Sequence, residues 1–171
     1  DEDVCCNAAR EEIIRRYYYA LCNQEEKGNN ENEVNKIALI MKQAKLTTDY
    51  RKPTIAARER KEQWNCPAAA IELHDGTIIK AGSSELLGPS AALILNATKH
   101  LAGIPHEVKL IPQSMIEPIQ RTKVSFLHGH NPRLHTDEVL VALSLLSTTD
   151  ENCRRALEQL PKFDGCQVHS T

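Results

Sequence analysis

The most reactive-looking residues of this chain are Cys166 and His169, in the segment GCQVHST. A cysteine is nucleophilic as the thiolate, so an imidazole or a helix N-terminus that lowers its pKa would activate it. Alternate side chains of an extended segment point to opposite faces, so this pair meets only where the segment turns. We take Cys166 and His169 as the candidate catalytic pair. The alternative is a buried structural cysteine and a hydrogen-bonded histidine.

A second group of polar residues could bind a small molecule. Ser83, Ser84 and Glu85 precede an apolar helix, where hydroxyls, backbone N–H groups and the helix dipole could hold an anion. Helix capping explains the same residues. Asn96 interrupts the apolar helix, and its amide must bond to a neighbouring strand or to a ligand. The predicted ligand-binding set is Ser83, Ser84, Glu85, Asn96, Ser170 and Thr171. This prediction requires GCQVHST to fold back beside the SSEL turn.

The histidines offer an alternative chemistry. His128, His130 and His135, with Cys166 and His169, could supply nitrogen and sulfur ligands to zinc. The spacing of His128 and His130 is common in loops without a metal. We therefore predict no metal site and leave the cofactor unassigned.

Composition excludes several classes of protein. Among 171 residues, 21 Lys and Arg balance 23 Asp and Glu, and a net charge of −2 argues against nucleic-acid binding. The apolar runs are too short to cross a bilayer, so we expect no membrane partner. Six cysteines without a CxxC pair suit a reducing cytoplasm. The opening DEDVCCNAAR also lacks the features of a secretory signal.

Apolar periodicity predicts a helical first part, residues 1–63. Helices are expected over residues 10–21 and 34–44, separated by the polar segment KGNNEN, and together they suggest a helical hairpin. Pro53 suits the first position of a short charged helix.

Residues 64–171 are predicted to form a small sheet covered by helices. Asp75-Gly76 is typical of a two-residue hairpin turn, which would place Leu73 opposite Ile78 and Glu72 opposite Ile79. Further strands are expected at residues 108–111 and 124–127. The fold class is therefore α+β.

The helix boundaries of this second part follow from capping signals. Pro89 opens a buried helix that Gly103 can close. Ser114 with Glu117 has the spacing of a capping box. Later helices should start at Thr136 and at Thr149 or Asp150, and Pro161 stops the last of them. These, the two N-terminal helices and the short helix at Pro53 are the helices we expect.

Four ordered blocks, EEIIRRY, AIELHDGTIIKAGSSELLGPSAALILNATKH, DEVLVALSLLSTT and ALEQLPKFDGCQVHST, resemble the C-terminal part of the bacterial domain of unknown function 1846 family. The resemblance covers residues 10–171 and implies a single C-terminal domain, residues 1–171, of a longer protein. It also implies an N-terminal α/β part with a phosphate-loop-like segment that lies outside this chain.

The resemblance implies no established activity. Some members carry the label of ATP-dependent peptidase, but the chain has no H-E-x-x-H and no G-x-S-x-G to support it. We expect a domain that contributes to a ligand or catalytic cleft completed by the missing N-terminal part. The alternative is an oligomerisation or regulatory module without chemistry, with homo-oligomers as partners.

Overall fold

A computed structural model of the chain describes residues 1–28 and 31–171. It divides into two compact units, Asp1–Lys52 and Pro53–Thr171, which are described separately below. The helices are α1 (Glu2–Lys27), α2 (Glu31–Gln43), α3 (Lys52–Trp64), α4 (Pro89–Leu101), α5 (Gln113–Arg121), α6 (Thr136–Leu146) and α7 (Glu151–Leu157). The strands are β1 (Ala68–Glu72), β2 (Ile78–Gly82) and β3 (Gln167–Ser170). The predicted α+β class is confirmed.

The first unit consists of α1 and α2, which pack against each other as the predicted helical hairpin requires. Helix α1 is much longer than predicted, because Glu2 and Asp3 suit its first turn and Gly28 ends it in the left-handed region, at φ 69°. Glu12 accepts hydrogen bonds from Arg15 and Arg16, and these two cations lower the pKa of its carboxyl to about 2. Part of the predicted KGNNEN break, residues 29–30, lies outside the described residues.

The second unit is built on an antiparallel sheet with the strand order β2-β1-β3. Strand β1 is central, and its residues Ala68–Ile71 are buried, since three of these four are alanines, which let helices approach both faces. On one face Ala70 packs with Ala56 and Ala57 of α3. On the other, Ala69 and Ile71 share a core with α4. Helix α3, predicted among the N-terminal helices, thus belongs with the sheet.

The predicted β-hairpin at Asp75-Gly76 is confirmed, but its predicted register is wrong by one residue. Glu72 pairs with Ile78, and the Leu73 N–H donates to the Thr77 carbonyl. The loop therefore holds three residues, with Gly76 in the left-handed region at φ 83°. A one-residue slip exchanges the two faces of a strand. Ile79, rather than the predicted Ile78, consequently shares the α4-side core with Leu73 and Ile71, and Ile78 packs on the α3 side.

Several boundaries differ from the prediction. Residues 108–111 form no strand, although Leu110 and Ile111 are buried core residues. Residues 124–127 fall in and after a π-helical turn, Thr122–Phe126, with Phe126 exposed. Helix α5 begins at Gln113 rather than at a Ser114 cap. The starts at Pro89, Thr136 and Asp150 are confirmed.

Helices α4 to α7 enclose the main core of the second unit, whose fully buried centre includes Leu134, Val139 and Leu143. A parallel bridge joins Leu87 to Leu134 and so ties the loop before α4 to the loop before α6. Of the helices in the described residues, none is both long and apolar enough to cross a bilayer.

Candidate functional site

The structure does not bring Cys166 and His169 together. His169 lies in β3 opposite Ala70, on the sheet face that α3 covers. Cys166 precedes β3 and packs instead against the core on the α4 side, with Leu73 and Phe163. Because the segment is extended, residues three apart point to opposite sides of the sheet. The predicted catalytic pair therefore has no shared face.

The thiol of Cys166 is also held in its protonated form. Its Sγ lies 3.5 Å from the Lys162 carbonyl oxygen, to which it donates. Burial raises the pKa of Cys166, partly offset by a hydrogen bond from the His74 backbone, and the nearby Asp164 raises it further. A raised pKa leaves less thiolate at neutral pH, which is the opposite of what a nucleophile needs.

The predicted juxtaposition of GCQVHST with the SSEL turn holds only for hydroxyl-bearing residues. At the start of β1, the Ser83 N–H donates to the Pro67 carbonyl and the Thr171 N–H donates to the Ala68 carbonyl. Ser83 and Thr171 thus flank the central strand, about 10 Å apart across two strand spacings. Ser170 pairs with Ala69 beside them. Cys166 lies at the opposite end of β3, so no thiol joins these hydroxyls.

Several polar groups of the loop Ser83–Leu87 are used in hydrogen bonds within the protein. Ser84 Oγ accepts from the N–H groups of Leu86 and Leu87, at 3.2 and 3.1 Å. Arg133 Nε donates to the Ser84 carbonyl and Gln120 Nε2 donates to the Glu85 carbonyl. These bonds fix the loop as a turn, so the structural interpretation of Ser84 is the one the geometry favours over an anion cradle.

Asn96 is a predicted site residue that the fold leaves available. It lies on the half-buried face of α4, and its side chain has no hydrogen bond to any residue that the structure describes. Two cavities meet at this face. The first, of about 200 Å³, is mainly apolar and lies towards Leu110 and Ile116. The second, of about 280 Å³, lies beside β2, and we name it the β2-edge cavity.

Lys99, one helical turn after Asn96, lines both cavities and was missed by sequence reasoning. It is 9% exposed, and its Nζ donates to the carbonyls of His106 and Val108, at 2.8 and 3.3 Å. Burial lowers the pKa of its ammonium group. No signal in the sequence marks it, because a lysine near the end of a helix is usually solvated.

In the described residues, His128 and His130 belong to no group of side chains with metal-ligand spacing, so they do not support the zinc alternative. The one group in the described residues with metal-ligand spacing is His135, Asp137 and Glu138, whose ligand atoms lie within 4.8 Å of one another. Glu138 there already accepts from Lys123 Nζ and from the His135 N–H, both through Oε2. Cys166 and His169 do not join this group.

The geometry defines the second unit as an α+β domain with a polar cavity beside its buried helix. Comparison with known families then shows to which family the chain belongs. Residues 49–171 match the C-terminal model of the domain of unknown function DUF1846, and residues 1–45 match its N-terminal model. The chain belongs to the DUF1846 family. The expectation that all of it is the C-terminal part is wrong, because the first 45 residues match the N-terminal model.

Similar proteins include the UPF0371 proteins of Corynebacterium aurimucosum, 47% identical, and Corynebacterium urealyticum, 46% identical. A UPF0371 protein of Streptococcus pyogenes serotype M5 is 41% identical. Each match covers 100% of this chain, but 34% of the Corynebacterium proteins and 35% of the Streptococcus protein. The chain thus spans about a third of the length of these relatives.

Proposed function

We propose that the second unit binds a small polar molecule beside α4, in a cleft that the rest of a longer family member completes. The observation that carries the proposal is the Asn96 amide, which is half-buried between two cavities without a hydrogen-bond partner in the described chain. Its amide therefore reaches the cavities with its donors and acceptor unused by the described chain. A ligand in either cavity can hydrogen-bond to it without displacing a protein partner.

The proposal is one of binding, and it assigns no step to Cys166 or His169, which lie on opposite sides of the sheet. Ser83, Ser84, Glu85, Ser170 and Thr171 stay predictions as ligand contacts. We also propose a cytoplasmic location. The six cysteines, all within the described part of the chain, form no disulfide, which is the usual state in a reducing compartment.

The test follows the side-chain amide of Asn96 directly. A ¹⁵N-labelled chain is titrated with pools of small polar metabolites, and the Asn96 resonance is identified by its loss in Asn96→Leu. We expect at least one pool to shift the Asn96 side chain together with the backbone amides of Lys99 and Val108. Asn152→Leu, which replaces a half-buried amide on α7, is the matched control and should leave this response intact. Metabolite pools that shift no resonance around Asn96 would contradict the proposal.

A second candidate is self-association, favoured by an apolar groove of about 660 Å³ between α5 and α6. Val141 and Leu145 line it and are 61% and 64% exposed, which is unusual for adjacent large apolar side chains on one helix face. Burying them in the same groove of a second copy would remove this surface from water.

Light scattering over a concentration series tests this candidate. We expect a dimer that Val141→Glu converts to a monomer. Val124→Glu places the same charge at an exposed valine outside the groove and should leave the dimer unchanged. A strict monomer at the highest concentration would refute self-association.

A further inference from the structure

The β2-edge cavity gathers hydrogen-bond donors from three parts of the second unit. The ammonium group of Lys99 has three N–H donors, of which two are used by the carbonyls of His106 and Val108. The Asn96 amide and the rings of His100 and His106 also line the cavity, and within the described chain none of these three side chains forms a hydrogen bond. One helix and the loop that follows it thus present several uncommitted donors to the same space.

Strand β2 adds a backbone donor. Thr77 and Ser83 bond to β1 through their backbone groups, so the odd-numbered residues of this strand face β1. The N–H of Lys80, an even-numbered residue that lines the cavity, therefore points away from β1. Since β2 is an edge strand of the described sheet, that N–H is not used in the sheet. An open strand edge of this kind can donate to a ligand.

The charges around the cavity favour an anion. Among the described residues, no Asp or Glu lines it. Three acids lie near its rim. Glu59 is paired with Lys80 Nζ at 2.8 Å, Glu107 acts electrostatically on Lys99, and Asp75 interacts with His100. The Lys80–Glu59 pair is neutral as a whole, so Lys99 supplies the positive charge inside the cavity.

The negative end of α4 does not oppose this arrangement. The last-turn carbonyls of Thr98, Lys99 and His100 accept from the N–H groups of Ala102, Ile104 and Gly103. Gly103, at φ 63°, makes this reversal of the chain possible. Three of the last-turn carbonyls that carry the negative end of the helix dipole are therefore occupied by the chain itself.

We infer that the β2-edge cavity is an oxyanion site that holds the phosphate group of a small metabolite between Lys99, Asn96, His100, His106 and the edge of β2. The inference rests on the proposed function and specifies its ligand class. A volume of about 280 Å³ accommodates a phosphate group with a small organic part. Lys99 bonds to the phosphate with its third N–H, and Asn96 and the histidines complete the donor set.

The experiment uses inorganic phosphate as the probe. The ¹⁵N-labelled chain is titrated with phosphate at constant ionic strength, with chloride as the balancing anion. We expect a saturable shift of the Asn96 side chain and of the His100 and His106 rings. Lys99→Met should weaken phosphate binding about tenfold or more, since a hydrogen bond from a charged donor is lost. Lys61→Met, at an exposed lysine of α3, should leave it within about twofold of the original affinity.

A second variant keeps the test valid if Lys99→Met fails to fold, because Lys99 also anchors the loop at His106 and Val108. His100→Gln with His106→Gln changes two exposed rings and should preserve the fold while weakening phosphate binding several-fold. Equal affinities of this double variant, Lys99→Met and Lys61→Met would overturn the inference.

The two proposals fail in different ways. If phosphate leaves the Asn96 resonance unmoved while neutral polar metabolites shift it, the oxyanion assignment is wrong and the proposed binding function stands. If neither class of probe shifts Asn96, both are wrong. A saturable phosphate response that is lost in Lys99→Met supports both.

Discussion

Two polar regions, the loop Ser83–Leu87 and the face of α4 at Asn96, lie close in sequence but differ in how far their polar groups are hydrogen-bonded within the protein. In the loop Ser83–Leu87, the Ser84 hydroxyl bonds within the loop, and the carbonyls of Ser84 and Glu85 bond to side chains elsewhere in the second unit. On the face of α4, Asn96 lines two cavities and bonds to no described residue. Serines in a loop before a helix look more functional in sequence than an asparagine inside one.

The difference shows that residue type identifies candidate site residues. Whether the protein itself provides their hydrogen-bond partners then separates structural candidates from functional ones. A buried polar group is normally paired, so an unpaired one calls for an explanation. The loop is explained by its own bonds, whereas for the face of α4 a ligand is our proposal. The comparison can be tested by removing each feature in turn.

The largest effect is expected where the loop is attached to the core. Leu134 is fully buried, its N–H donates to the Leu86 carbonyl and its carbonyl accepts from the Gly88 N–H. Leu134→Ala should lower the free energy of unfolding by about 2–5 kcal/mol, because it leaves a cavity in the main core. Urea denaturation measures this loss. Leu127→Ala, at a side chain 73% exposed, is the control and should change stability very little.

The next effect tests whether Ser84 is structural. Ser84→Ala removes the acceptor of two backbone N–H groups, so it should lower the free energy of unfolding by about 0.5–1 kcal/mol. Water can replace part of the bonding at this exposed position. Ser90→Ala, at an exposed serine in the first turn of α4, is the matched variant. If the two variants have equal stability in urea, the structural interpretation of Ser84 is wrong.

The sequence predicts the α+β class and most helix starts, because caps and prolines act locally. It fails where distant parts of the chain decide. His74 joins Asp75 and Gly76 in a three-residue loop, and this one extra residue shifts the register of the hairpin. Strand β3 was not predicted because its four residues form a strand only by pairing with β1, almost a hundred positions earlier in the chain.

The candidate site shows the same limit. Asn96 could be identified from sequence, since an amide in an apolar helix needs a partner wherever the helix packs. Lys99 could not, because a lysine near the end of a helix is usually solvated. Its burial depends on the loop at His106 and Val108 folding back over it. Cys166 and His169 looked like a pair because spacing does not show which face of the sheet each one occupies.

A smaller effect, of opposite sign to that at Ser84, is expected at Asn96. Asn96→Leu removes an unbonded amide and extends the apolar lining towards Leu110 and Ile116. It should raise the free energy of unfolding by up to about 1 kcal/mol, because the added apolar side chain is partly buried against that lining. Asn152→Leu serves as control. Destabilisation by Asn96→Leu in urea would mean that the amide has a structural role after all.

The smallest effect is a pH dependence at Lys99, whose pKa burial lowers in the folded chain, partly offset by Glu107. Between the lowered folded pKa and the ordinary value of 10.5, the unfolded chain binds more protons at Lys99 than the folded chain does, so this group makes stability rise with pH.

Lys99→Met lacks that rise. Other groups near the site, namely Lys80, His100 and His106, are present in both proteins and cancel in the difference. We therefore expect the stability of the original chain minus that of Lys99→Met to increase as the pH rises through the lowered folded pKa towards 10.5. Bound phosphate should reverse the trend, because an anion favours the charged lysine and raises its pKa. A difference that stays flat with pH, with and without phosphate, would show that Lys99 is as well solvated as the lysines on the surface.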